Sequence, residues 1–238
     1  MINHKKAARI IGILYIIGTV AAILSIVFTQ PILESSDYLL KVSQHQNQII
    51  LGAFFVLIMG LALAMVSVIV FPILKEHNET LAVGYVVFRG ALETFTYLVN
   101  VIALLLLIPL SQEYLLAGAS NVSSYTTLGR LLLDTDFQIS PILKIVFSLG
   151  ALMFYYVLYQ SKLIPRWLSG WGLIGAGLHL VAGFFVMFNW LTDIPELGLL
   201  WDLPIAVQEM VMAVWFIIKG FNPSAIASKN AKTVSVKM

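Results

Sequence analysis

Six long apolar blocks alternate with shorter polar stretches along the chain, at about residues 10–28, 49–73, 81–109, 141–160, 168–189 and 203–219. Each is close to the ~20 residues that a helix needs to cross the hydrocarbon core of a bilayer. A backbone in lipid must pair its own N–H and C=O groups, which makes each block a helix. The pattern predicts an all-α membrane protein, a six-transmembrane-helix bundle forming one domain over residues 1–221. The first block is longer than the usual 7–15 residue apolar core of a cleaved signal, so it is read as a retained helix.

Proline punctuates this pattern. Pro31, Pro72, Pro109, Pro141, Pro165, Pro195, Pro204 and Pro223 fall at or beyond the proposed ends of the spans. Proline suits first turns and exits and disrupts helix interiors, so helices without proline kinks are expected. Two outer connections, residues 31–48 and 123–140, mix apolar and polar residues at roughly helical spacing. They read as short amphipathic helices on the membrane or capping the bundle, with ordered linkers as the alternative. Residues 222–238 are polar and basic without periodicity, and are expected to form a disordered cytoplasmic tail drawn to anionic headgroups.

Composition agrees with a lipid solvent. The chain is 60% hydrophobic and 11% charged, against about 45–50% and about 25% in soluble domains. It has no cysteine, which excludes disulfides, thiolate metal sites and cysteine nucleophiles. A net charge of +2 is too small to suggest nucleic acid. The expected partners are the lipid bilayer and a small ligand or ion, with no cofactor and no metal; the oligomeric state stays open.

The distribution of charge says more than its sum. With six spans, Lys5, Lys6, Arg9, Lys75, Lys162, Arg166, Lys219, Lys229, Lys232 and Lys237 fall on one side. The other side has Lys41 and Arg130, with the acids Glu34, Asp37, Glu113, Asp134, Asp136, Asp193, Glu196 and Asp202. The positive-inside rule then places both termini in the cytoplasm. Trp190 and Trp201 fall near the outer interface, and Trp167, Trp171 and Trp215 near the inner one.

Four stretches carry a family resemblance: "ARIIGILYIIGTVAAI", "FPILKEHNETLAVGYVVFRGALE", "SKLIPRWLSGWGLIGA" and "LPIAVQEMVMAVWFIIKGF". Over residues 7–221 the chain resembles a bacterial family of integral membrane proteins known as domain of unknown function 4386. The resemblance implies a multi-pass protein of the bacterial plasma membrane. It supplies no reaction and no catalytic residues.

The polar residues at membrane depth must therefore be read on their own. An ionisable group within a span is costly and is a functional candidate by default. Arg89, Glu93, His179 and Glu209 qualify, with Lys144 as a weaker fifth able to snorkel outward. Arg89 and Glu93 are four residues apart and share a helix face; Thr96 and Asn100 continue that stripe. His179 lies on the face of Gly172, Gly175, Ala176, Ala182 and Gly183, where small residues let helices pack closely. Gln208 and Glu209 lie about ten residues before Lys219, roughly 15 Å from the inner interface.

Glu93, His179 and Glu209 are thus expected to meet in one layer. A cluster of Arg89 with two carboxylates carries a net charge of −1. A retained proton on a carboxyl, a protonated His179 or a bound cation would balance it. The candidate ligand- or proton-binding residues are Arg89, Glu93, Asn100, His179, Gln208 and Glu209. Against a functional role, Arg89–Glu93 alone also serves as a buried structural clamp.

No P-loop, H-E-x-x-H, G-x-S-x-G or His pair at i, i+4 is present. Three readings remain: a small carrier or proton-coupled binding protein, an intramembrane enzyme acting on a lipid-like substrate, and a sensory or scaffolding subunit. The charge imbalance without a nucleophile signature favours the first.

Overall fold

Hydropathy marks where lipid begins, and the helices run on past it. The computed structural model describes residues 3–117, 122–190 and 195–226, with backbone only over 195–199. Eight α-helices account for most of it: α1 His4–Leu33, α2 Tyr38–Gln44, α3 Gln46–Lys75, α4 Glu79–Tyr85, α5 Glu93–Leu116, α6 Val122–Ser161, α7 Arg166–Met187 and α8 Pro195–Ile218. A π-helical segment, Val86–Leu92, joins α4 to α5 without a break. Among the described residues there is no strand, and six helical stretches are long and apolar enough to cross a membrane. The third of these is the continuous Glu79–Leu116 stretch.

The spans pack in chain order. α1 lies on α3, α3 on α5, α5 on α6, α6 on α7 and α7 on α8, and α8 returns to α1. The result is a closed ring in which α5 and α8 stand opposite one another. Small and polar residues share the inward faces with large ones such as Ile11, Tyr15, Val70 and Phe154, while further large aliphatics face outward. On α1, Ala8, Gly12, Gly18, Ala21 and Ser25 are buried, while Ile13, Val20, Ile23 and Val27 are exposed. With lipid outside there is no hydrophobic drive between helices, so close packing of small residues takes its place.

The helices differ from the sequence reading at several points. Pro109, Pro141 and Pro204 lie inside helices rather than at their ends, while Pro31 and Pro72 fall in the last turns of α1 and α3. The expectation equated the apolar boundary with the helix boundary, but nothing in the polar zone forces an α-helix to stop. Pro141 is the clearest case. Residues 123–140 do not form a separate element; they are the first half of α6, whose 40 residues reach about 60 Å at 1.5 Å each. In the other outer connection only Tyr38–Gln44 forms a short helix, and Tyr38, Leu39 and Val42 are buried against the bundle. The chain beyond α8 also stays packed further than expected. Residues 223–226 form a helical turn, with Phe221 and Ala225 buried. The rest of the expected tail, 227–238, lies outside the described residues.

Candidate functional site

Arg89 is in the π-helical segment, where the wider turn carries the backbone against α6. A Cβ on Gly150 would lie 3.1 Å from the Arg89 nitrogen and 3.2 Å from its Cβ, a tight fit that any larger residue would have to relieve by a small shift. Insertions of this kind recur at functional sites, because they re-aim a side chain without ending the helix. Here the arginine is aimed across the ring. It is 2% exposed, and its guanidinium meets carboxylates from two opposite helices.

Nη1 of Arg89 donates to both oxygens of Glu93, at 2.9 Å each. Nη2 donates to Oε1 of Glu209 on α8 at 2.7 Å. Tyr97, one turn along α5, adds its hydroxyl to Glu93 Oε1 at 2.9 Å. Glu93 is fully buried, whereas the Glu209 side chain is 16% exposed. These are charge-assisted bonds, the stronger class of hydrogen bond. The surround is aromatic: the guanidinium carbon lies 4.1 Å from the Phe147 ring centroid and 6.0 Å from that of Tyr15. Tyr15 and Tyr85 place their hydroxyls 3.5 Å apart, both buried.

A second polar cluster lies beside Phe147. Lys144 on α6 donates to Asp202 on α8. His179 on α7 holds Nε2 3.8 Å from Asp202 Oδ1, within reach of an ion pair but too long for a hydrogen bond. The Phe147 ring lies 4.9 Å from the His179 ring and 4.1 Å from the Arg89 guanidinium carbon, so it touches both clusters. His179 is thus paired with Asp202, and among the described residues no hydrogen bond or ion pair joins it to Arg89, Glu93 or Glu209. Lys144, expected to snorkel outward, is instead paired within the bundle. Among the described residues, His179 Nδ1 and Asp202 Oδ1 are buried without a hydrogen-bond partner.

Residues 10–220 match the model of a family described as Domain of unknown function (DUF4386). The chain belongs to this family. Among curated proteins and among solved structures, no match was found. For this DUF4386 protein the site is therefore read from its geometry.

Of the six candidate residues, the structure brings together Arg89, Glu93 and Glu209. Gln208 sits beside them but is occupied elsewhere. Its Oε1 accepts from the Tyr155 hydroxyl at 2.6 Å and its Nε2 donates to the Leu168 carbonyl at 3.0 Å. That fully buried amide clips α6, α7 and α8 together. Asn100 lies two turns beyond Glu93 and donates to Asp136 on α6 at 2.8 Å. This pair lines a separate cavity of about 620 Å³ between α1, α3, α5 and α6, whose lining does not include Arg89, Glu93 or Glu209.

Sequence reading missed Tyr97, Tyr15, Tyr85, Tyr155 and Phe147, because aromatic residues in an apolar run register as bulk hydrophobicity. Tyr97 had a usable signal, lying at i+4 from Glu93 on the same face. Asp202 was assigned to an outer loop. Its place two helical turns before Glu209 becomes visible only once α8 is seen to start ahead of the apolar block.

Proposed function

We propose that this multi-pass membrane protein binds and releases a proton at the Arg89–Glu93–Glu209 triad, with Glu209 as the exchanging group. One observation carries the reading: a single buried guanidinium is shared by two carboxylates from opposite sides of the helix ring. Arginine keeps its charge in proteins. With both carboxylates ionised, the triad holds one uncompensated negative charge in a medium where such a charge is costly. One proton, or one small cation in its place, removes the imbalance.

The geometry supports Glu209 as its seat. Glu93 as an anion is well served, accepting three hydrogen bonds from Arg89 and Tyr97. Glu209 accepts one bond from the guanidinium and keeps part of its side chain accessible. Gain or loss of its proton alters the link between α8 and the π-helical segment across the ring. The asymmetry of lysine and arginine supports cytoplasmic placement of both ends, and the sequence resemblance supports the bacterial plasma membrane as the host.

The test reads the proton directly. Infrared difference spectra across a pH titration of the purified protein should show one protonated-carboxyl band that disappears as pH rises. Glu209→Gln should abolish it, because Glu93 and Arg89 then balance. Glu93→Gln should abolish it too, since Glu209 then becomes the guanidinium's sole counter-ion and stays ionised. A titrating band that persists in folded Glu209→Gln protein would sink the reading. Displacement of the band by sodium or potassium at fixed pH would identify a cation site instead.

A further inference from the structure

A different feature occupies one end of the bundle, where α6 ends at Ser161, α7 begins at Arg166 and α8 ends at Ile218. The α6–α7 turn and the residues after α8 line a cavity of about 550 Å³ that is open to the surface. Lys162, Arg166 and Lys219 line it, and no acidic residue does. Among the described residues, the ion pair at this end joins Lys75 to Glu79, and none engages these three cations. The remaining lining is largely apolar and includes Trp215 and Phe221.

The cavity is built rather than left over. Lys162 holds a left-handed backbone, φ 58°, a conformation that side-chain-bearing residues rarely adopt. Asn222 straps the turn to the end of α8. Its backbone N–H donates to the Leu163 carbonyl at 2.8 Å, and its Nδ2 donates to the Lys162 carbonyl at 3.2 Å. The cations thus come from two segments about sixty residues apart that are tied together. Trp167 and Trp215 meet edge-on beside the cavity, as expected at headgroup depth.

The geometry points to a binding site for the phosphate headgroup of an anionic phospholipid in the leaflet at this end. Three cations without a counter-charge suit a phosphodiester. The apolar walls at the helix ends suit the glycerol and first acyl carbons of a lipid, and a free phosphate would leave them uncovered. The site is independent of the proton-binding triad, which lies about 14 Å deeper along α8 at 1.5 Å per residue.

Native mass spectrometry of the full-length protein, delipidated and titrated with phosphatidylglycerol, tests this. Replacing Lys162, Arg166 or Lys219 by glutamine should weaken retention about fivefold each, and the triple replacement on the order of 100-fold. Lys5→Gln with Lys75→Gln removes two cations at the same end but outside the cavity, and should leave retention nearly unchanged. Phosphatidylcholine should bind far more weakly, and inorganic phosphate should not displace the bound lipid. Should the triple variant fail to fold, the three single variants carry the test. Four results would overturn the proposal: full retention in the variants, equal loss in the control pair, equal retention of phosphatidylcholine, or displacement by inorganic phosphate.

Discussion

Arg89→Met should cost this protein most of its stability, and Arg89→Met combined with Glu93→Gln and Glu209→Gln should recover much of the loss. Removing the guanidinium alone leaves two carboxylates facing each other inside an aromatic shell. Breaking a buried ion pair in this way costs about 3–5 kcal/mol, because a buried charge loses its partner. That is a large share of the ~5–15 kcal/mol that holds a typical domain folded. Replacing the whole set by neutral groups of similar shape is often close to neutral, since no charge is then left buried. The triple variant should therefore be more stable than the single one despite carrying more substitutions. Thermal denaturation followed by size-exclusion chromatography measures both. If the triple variant proves as unstable as Arg89→Met, shape rather than charge holds the site. If Arg89→Met matches the unmodified protein, the triad contributes little to the fold.

The same pair of variants separates function from scaffold. A triple variant that folds but shows no carboxyl titration locates the pH response in the triad. If its cellular activity is also unchanged, the buried charges serve to set helix register, which is the scaffolding reading.

The sequence showed depth well and rotation poorly. Lipid imposes internal backbone pairing on every spanning segment, so a length of apolar chain suffices to identify a helix, and all six spans were legible. Arg89 and Glu93 were legible as a pair because i, i+4 spacing on one helix fixes their relation without knowledge of any neighbour. Glu209 was legible as a surplus charge at similar depth, and its expected meeting with Arg89 is found. The remaining members of the layer were not legible, since hydropathy carries no information about which way a helix faces around its axis. His179 shows the cost of that gap: it lies at a plausible depth, yet its ion-pair partner is Asp202, and it shares only the Phe147 ring with Arg89. Asn100 likewise follows the right stripe but meets Asp136 instead. The π-helical segment had no signal in composition, because Val86–Leu92 would be as apolar in an ordinary α-helix. Pro141 and Pro204 misled for a related reason: they mark changes in polarity that the helices ignore.

Gly12→Ala should destabilise the bundle, while Gly177→Ala, the same exchange on another span, should leave it unchanged or slightly stabilised. A methyl on Gly177 meets nothing within 4 Å. In a helix, alanine is favoured over glycine by about 1 kcal/mol when nothing else intervenes. A methyl on Gly12 would run into the Ala213 backbone carbonyl and come within 2.8 Å of the Ile217 side chain. A backbone carbonyl has no rotamer with which to yield, so α8 itself must move from α1. Overpacking of this kind costs about 1–3 kcal/mol. This contact closes the helix ring, and Ala213 lies one turn beyond Glu209 on α8. A shift there should lengthen the Arg89–Glu209 bond and leave Arg89–Glu93, which lies within one continuous helical stretch, in place. Gly12→Ala should therefore lower the thermal midpoint and also change the pH at which the Glu209 carboxyl band disappears. A lowered midpoint with an unchanged band would show that the α1–α8 seam and the triad are mechanically independent. A fall in midpoint for both glycine variants would trace the loss to the helices themselves, not to the seam.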